Sequence, residues 1–184
     1  MRRIPLLVLL AGLVSLAAAP QATQPAGTES IRVMPLPRDG QVYVSFELAG
    51  GVTEEFRETI RSGLPTSFAY DFELRRGVPL WVDRTIAIAT VVATVQFDNL
   101  SRRHQLSRLI DGRVEDALVT ENQAEVDHWL TKFDRVPLFR TTELEPNAEY
   151  YVRVRARARP RSTWSLLPWD RTGAWGHARF TFLP

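Results

Sequence analysis

From Tyr150 onward the chain alternates without a break. Tyr150, Val152, Val154, Ala156 and Ala158 take one parity, and Arg153, Arg155, Arg157 and Arg159 take the other. A helix would mix the two sets, whereas a strand sends successive side chains to opposite faces and separates them. The stretch therefore reads as a β-strand with one face on a dry core and a row of guanidinium groups on the other. The same period of two recurs elsewhere. Val42, Val44, Phe46 and Leu48 alternate with Gln41, Tyr43, Ser45 and Glu47, and Tyr70, Phe72 and Leu74 alternate with Asp71, Glu73 and Arg75. A last run, His177 to Leu183, places Ala178, Phe180 and Phe182 on one side. Thr85 to Phe97 is nearly all β-branched or apolar, and its phase slips near Thr90, which predicts a bulge or a strand covered on both faces.

The turns between these runs are equally local. Pro37-Arg38-Asp39-Gly40 predicts a hairpin that brings Ile31–Met34 beside the run from Gln41. Asp111-Gly112 separates Arg103–Ile110 from Arg113–Thr120 as a two-residue hairpin turn, with a register that sets Arg108 opposite Glu115. Two short helices interrupt the strands. Thr53 caps the first, Glu54 and Glu55 sit near its positive end, Phe56 and Ile60 share a face, and Gly63 ends it. Asn122 caps the second, with Glu125 spaced for a capping box, and Val126, Trp129, Leu130 and Phe133 make its apolar stripe. Leu144-Glu145-Pro146-Asn147-Ala148-Glu149-Tyr150 resembles the Leu-x-Pro-x-x-x-Tyr corner of fibronectin type III and related sandwiches, where a tyrosine hydroxyl bonds back to the backbone. The expected fold is mainly β: an immunoglobulin- or fibronectin-like β-sandwich with two short helices at its edges.

The start of the chain reads as an export signal. Arg2-Arg3 forms a positive leader, Leu6 to Leu16 an apolar segment, and Ala17-Ala18-Ala19 a small-residue cleavage region. The apolar run is shorter than the ~20 residues of a spanning helix. Because Pro20 would follow a cut at Ala19, cleavage after Ala22 or retention of the leader as a short anchor are the alternatives. The expected organisation is a signal peptide over 1–22, a flexible linker over 23–30 and one domain over 31–184, exported to a bacterial periplasm or cell envelope. The chain has no cysteine, so such a domain must hold by packing alone and has no residue for lipoprotein acylation.

Taken together, four pieces resemble an uncharacterised exported bacterial family, domain of unknown function 4390. They are the signal peptide followed by a strand, the short helix leading into Ser62-Gly63-Leu64-Pro65 and the strand Phe68–Arg75, the run Trp81-Val82-Asp83-Arg84-Thr85-Ile86-Ala87, and a tail with Trp164, Trp169 and Trp175 ending in Arg179-Phe180-Thr181-Phe182. The resemblance implies an exported protein with no assigned chemistry. Through relatives encoded beside two-component signalling genes, it also implies a sensing or accessory role in the envelope.

Charge and motifs narrow the function classes. The formal charge is +2, but Arg2 and Arg3 lie in the leader and no acid precedes Glu29, so the domain itself is near neutral. That argues against a nucleic-acid partner. Of the basic residues 22 are arginine and one, Lys132, is lysine. His104, His128 and His177 are scattered, with no spacing for a metal, and no nucleophile elbow, phosphate-cradling glycine loop or cofactor motif is present. An enzyme would need a polar cleft near His104 or His177 where a histidine and a carboxylate converge; the reading is non-enzymatic, without metal or cofactor. Asp83-Arg84, beside Trp81, reads as a salt bridge closing a turn, with a functional couple at the mouth of a strand as the alternative.

Two surfaces stand out. Arg153, Arg155, Arg157 and Arg159 would stand ~7 Å apart along one strand. Their repulsion calls for neutralisation, either by cross-strand acids such as Asp71, Glu73, Glu143 or Glu145, or by an acidic partner: an envelope protein, an anionic lipid or a glycan. The segment Trp164 to Trp175, with Leu166, Leu167 and Trp169, reads as a lid on the core or as a partner or membrane patch. Membrane association would come only through an uncleaved leader or this loop. The leading expectation is a non-catalytic envelope module that binds another envelope component; the alternative is a carrier of an apolar or amphipathic ligand, which needs a cavity between the sheets.

Overall fold

The structure, a computed structural model, describes residues 29–77, 83–160 and 173–183, with side chains as far as Ala158 in the second stretch. The described residues form two antiparallel sheets and two short helices. The smaller sheet begins with β1 (Ser30–Arg38) and β2 (Gln41–Ala49), joined by Asp39-Gly40 with positive φ at both residues, as a two-residue hairpin requires. β1 runs past Met34, the expected end of the strand, through Pro35 and Pro37. It lies at the edge of its sheet, where a missing N–H costs no ladder bond. The third member, β7 (Lys132–Arg140), pairs with β2 on its other side. Here Ser45 Oγ donates to Asp134 at 2.9 Å and accepts from the Arg135 N–H at 2.9 Å, spanning an irregularity in the register.

The larger sheet contains β3 (Thr66–Arg76), β4 (Arg84–Asp98), β5 (Arg103–Ile110), β6 (Arg113–Thr120), β8 (Glu149–Pro160) and β9 (Trp175–Thr181), in the order β6-β5-β4-β3-β8-β9. The expected slip at Thr90 does not occur; Leu74 faces Ala87 and Arg75 faces Thr85, so the extra residue is Ile86. What looked like a change of phase is an outer face that carries apolar side chains, among them Ile88, 74% exposed. The β5–β6 hairpin turns at Asp111-Gly112 with positive φ at both. Arg108 pairs with Asp116 rather than Glu115, because Glu115 is the extra residue of a bulge. β9 starts two residues before the expected His177, so Trp175 belongs to a strand and not to a loop.

Both helices form where their caps place them. Helix α1 (Glu54–Arg61) is capped by Thr53 Oγ1, which accepts from the Phe56 N–H, and it buries Ile60 and stacks Phe56 on Phe68 with ring centres 4.6 Å apart. Helix α2 (Gln123–Thr131) is capped by Asn122 Oδ1, which accepts from the Ala124 N–H at 2.9 Å. The expected capping box is replaced: Thr120 takes the Asn122 N–H at 3.0 Å and donates its own hydroxyl to Glu125. Phe133 lies past the end of α2, in β7, but fills the core as its spacing implied.

The two sheets meet around Phe46, whose ring lies 4.3 Å from Phe133 and 4.8–4.9 Å from Tyr70 and Phe72. Tyr150 closes the corner before β8, its oxygen accepting from the Glu145 N–H at 2.8 Å. On one flank β9 comes down onto β1 at Gly176, where a Cβ would sit 2.6 Å from Ile31 O and 3.0 Å from Val33 Cγ2, so no larger residue fits this approach. On the other flank Arg108 is packed between the rings of Trp129 and Phe133, 4.2 Å from each centre. It donates to Trp129 O at 2.7 Å and Lys132 O at 2.8 Å, joining β5 to the α2–β7 junction.

Tyr70 is fully buried and donates its hydroxyl to Leu130 O at 2.7 Å. Burial raises its pKa far above the ordinary value. The folded state keeps a proton that the unfolded chain releases above about pH 10. Its stabilising contribution is therefore full below that pH and declines as pH rises past it. Tyr70→Phe should cost about 1–2 kcal/mol at neutral pH, the worth of a buried hydrogen bond. Urea unfolding at a series of alkaline pH values should show the two proteins converging above about pH 10; parallel curves would show that Tyr70 is not the linked group.

Candidate binding face on the six-stranded sheet

The outer face of the larger sheet is set by the register of three strands. Across from Arg153 and Arg155 stand Glu73 and Asp71 on β3, and His177 and Trp175 on β9. Neither carboxylate bonds straight across. Asp71 forms its ion pair diagonally with Arg157, and Glu73 approaches Arg75 at 3.6 Å. Of the expected acids, Glu145 serves Arg76 instead. Among the described residues, Arg157 alone of Arg153, Arg155 and Arg157 has an ion pair; Arg153 and Arg155 have none.

Both of these arginines turn to Trp175. The guanidinium carbon of Arg153 lies 3.9 Å from the centre of the Trp175 ring, and that of Arg155 lies 5.2 Å from it. A guanidinium over an aromatic face is attracted by the ring quadrupole and keeps its in-plane N–H groups clear of the ring. Arg155 Nε is buried without a hydrogen-bond partner, as are Arg157 Nε and Arg75 Nε. Beside Arg153, the Tyr151 hydroxyl donates to Asp83 at 2.6 Å, and burial followed by this bond raises the Tyr151 pKa. Tyr151, Arg153, Trp175, Gly176 and His177 border a shallow depression of about 420 Å³. The expected Asp83–Arg84 salt bridge is not formed; Asp83 is held by Tyr151 through its side chain and by Arg75 through its carbonyl, at 3.1 Å.

A second depression lies where α1 meets the ends of both sheets. It has a volume of about 90 Å³ and is walled by Leu48, Phe56, Phe68, Ala156 and Ala158, with Thr53, Thr59 and Thr66 among its polar edges. That is smaller than the ~150 Å³ cavity that admits benzene. His104 is buried against Phe97 with ring centres 4.8 Å apart, whereas His128 and His177 are exposed on separate elements. Among the described residues no group of three or more histidine, aspartate or glutamate side chains is arranged to hold a metal. None of the described helices is long and apolar enough to cross a membrane.

The family described as domain of unknown function (DUF4390) matches residues 25–162. The chain belongs to this family. No curated protein and no solved structure matches it. The immunoglobulin-like part of the fold expectation therefore rests on the Tyr150 corner alone, while the two-sheet β architecture stands. The DUF4390 match takes in β1 to β8 and thus the arginine row; it ends before β9, so Trp175 and Arg179-Phe180-Thr181-Phe182, part of the resemblance at the outset, fall beyond it.

In this DUF4390 chain the row and Trp175 come together although they were read as two separate surfaces. The signal was the parity of the last strand, which puts Trp175 on the same side as His177. Trp81, Trp164, Leu166, Leu167, Trp169 and the leader lie outside the described residues, as does the side chain of Arg159.

Arginines that serve the fold and arginines that do not should separate by stability. Arg108→Gln should cost about 2–4 kcal/mol through lost charge-assisted hydrogen bonds and ring contacts. Arg155→Gln should change stability by only about 1 kcal/mol, the worth of a half-buried cation–π contact. Chemical denaturation of both variants measures this, and a loss at Arg155 as large as that at Arg108 would make the row structural.

Proposed function

We propose that this domain acts after export as a non-catalytic module of the bacterial cell envelope, binding another envelope component through the outer face of its larger sheet. The observation that carries this reading is the pair Arg153 and Arg155, neither with a carboxylate partner among the described residues and both over the ring of Trp175, a residue that is 48% exposed. Export is supported by the leader pattern of Arg2-Arg3, Leu6 to Leu16 and Ala17-Ala18-Ala19. The carrier alternative has the α1 depression in its favour, but at about 90 Å³ that space takes a group of only a few atoms.

A photo-crosslinking residue in place of His177, exposed beside Trp175 and opposite Arg153, introduced in living cells of the source organism, should give a discrete adduct in the envelope fraction. Arg153→Glu with Arg155→Glu should abolish it while the same residue placed at Leu36, on the smaller sheet, is unaffected. An adduct that persists in the folded double variant, or a protein that stays in the cytoplasm with its leader intact, counts against the reading.

A further inference from the structure

The chemistry of the ligand can be narrowed, on the premise that the outer face of the larger sheet is the binding face. Each guanidinium can present a planar fork of N–H donors, and a single carboxylate, with two oxygens, satisfies one fork. Asp71 and Glu73 are already straight across from Arg155 and Arg153, yet their contacts go to Arg157 and Arg75. The described carboxylates of this face therefore leave the pair unmatched. The shared ring of Trp175 confines the two guanidinium carbons to within the sum of 3.9 Å and 5.2 Å of each other. A tetrahedral group with several terminal oxygens, unlike a carboxylate, has acceptors enough for two such forks. The stacking orders both side chains before a ligand arrives, which lowers the entropy lost on binding. The neighbouring depression, edged by Tyr151 and His177, leaves room for whatever carries the group.

We infer that Arg153, Arg155 and Trp175 form a binding site for a phosphate group, supplied either free or as the headgroup of an anionic lipid. The probes are inorganic phosphate, phosphatidylcholine vesicles with and without phosphatidylglycerol, and polyglutamate. The readouts are the arginine Nε–Hε and tryptophan indole NMR signals of the exported protein for the soluble probes, and co-sedimentation for the vesicles. Phosphate should shift the Arg153, Arg155 and Trp175 signals saturably, where chloride at equal ionic strength does not. Arg153→Gln with Arg155→Gln should weaken binding by at least about tenfold, as expected for losing two charge-assisted forks. Trp175→Phe, which keeps a ring, should retain most of it.

Binding to phosphatidylglycerol vesicles that free phosphate displaces identifies the headgroup as source; binding of free phosphate with no vesicle association identifies a small phosphate. Either outcome upholds the site. No saturable shift with phosphate or phosphatidylglycerol, a shift that survives in the double glutamine variant, or binding of polyglutamate alone overturns it. If phosphate fails while the in-cell adduct at residue 177 is still lost in the glutamate double variant, the binding-module reading stands and only the phosphate assignment falls.

Discussion

The pairing of β3 with β8 governs both sides of the larger sheet. It runs from Thr66 opposite Pro160 to Arg76 opposite Tyr150 without a shift. In that register Phe72 meets Val154 on the inside, and Asp71 meets Arg155 on the outside. A slip of one residue would carry every arginine of β8 into the core and every valine into water. Burying one unpaired guanidinium costs several kcal/mol, so the alternative register is excluded by charge as much as by packing. The arginine row is thus part of what specifies the fold, whatever else it does.

The smaller sheet and α2 complete the inside that this register defines. Phe46 brings one sheet against Tyr70 and Phe72 of the other, and Leu130 at the end of α2 supplies the carbonyl that Tyr70 needs. The flanks are closed by opposite means. At β1–β9 the backbones approach so nearly that Gly176 is the residue that fits. At the other flank Arg108 fills the space, with its guanidinium against two rings and its N–H groups on two carbonyls. One arginine is held inside the architecture here, while Arg153 and Arg155 lie on the outer face against Trp175.

Much of the fold was legible in the chain because it is written in short-range patterns. Period-two alternation marks β2, β3 and β8, the Asp-Gly pairs mark both hairpins, and Thr53 and Asn122 mark the helix starts. β7 was missed because Pro137 and the left-handed Arg135 (φ 47°) interrupt its alternation, and its pairing with β2 is long-range. The shift from Glu115 to Asp116 opposite Arg108 has the same origin: a bulge is decided by the strand alongside, not by the residues that form it. For the candidate face, the arginines and the acids facing them could be named from parity. Which acid would choose which arginine could not, since Asp71 reaches Arg157 on a diagonal. The meeting of the row with Trp175 depends on β9 lying next to β8, which no local pattern encodes.

The magnitude of the repulsion decides how Arg153 and Arg155 should be understood. Two unit charges ~7 Å apart repel by roughly 0.6 kcal/mol in water and about 2.4 kcal/mol at the effective dielectric of a protein surface. Salt with a screening length of about 8 Å reduces this further. Each cation–π contact returns on the order of 0.5–2 kcal/mol, so Trp175 offsets most of that cost without a counter-charge. The row is therefore compensated in two ways, by Asp71 at Arg157 and by the ring of Trp175 at Arg153 and Arg155. Trp175 does the neutral part of the task, lying against both guanidinium groups. A carboxylate partner would have taken up their N–H donors; an aromatic one does not, and at Arg155 it is the terminal N–H groups rather than the buried Nε that a ligand would meet.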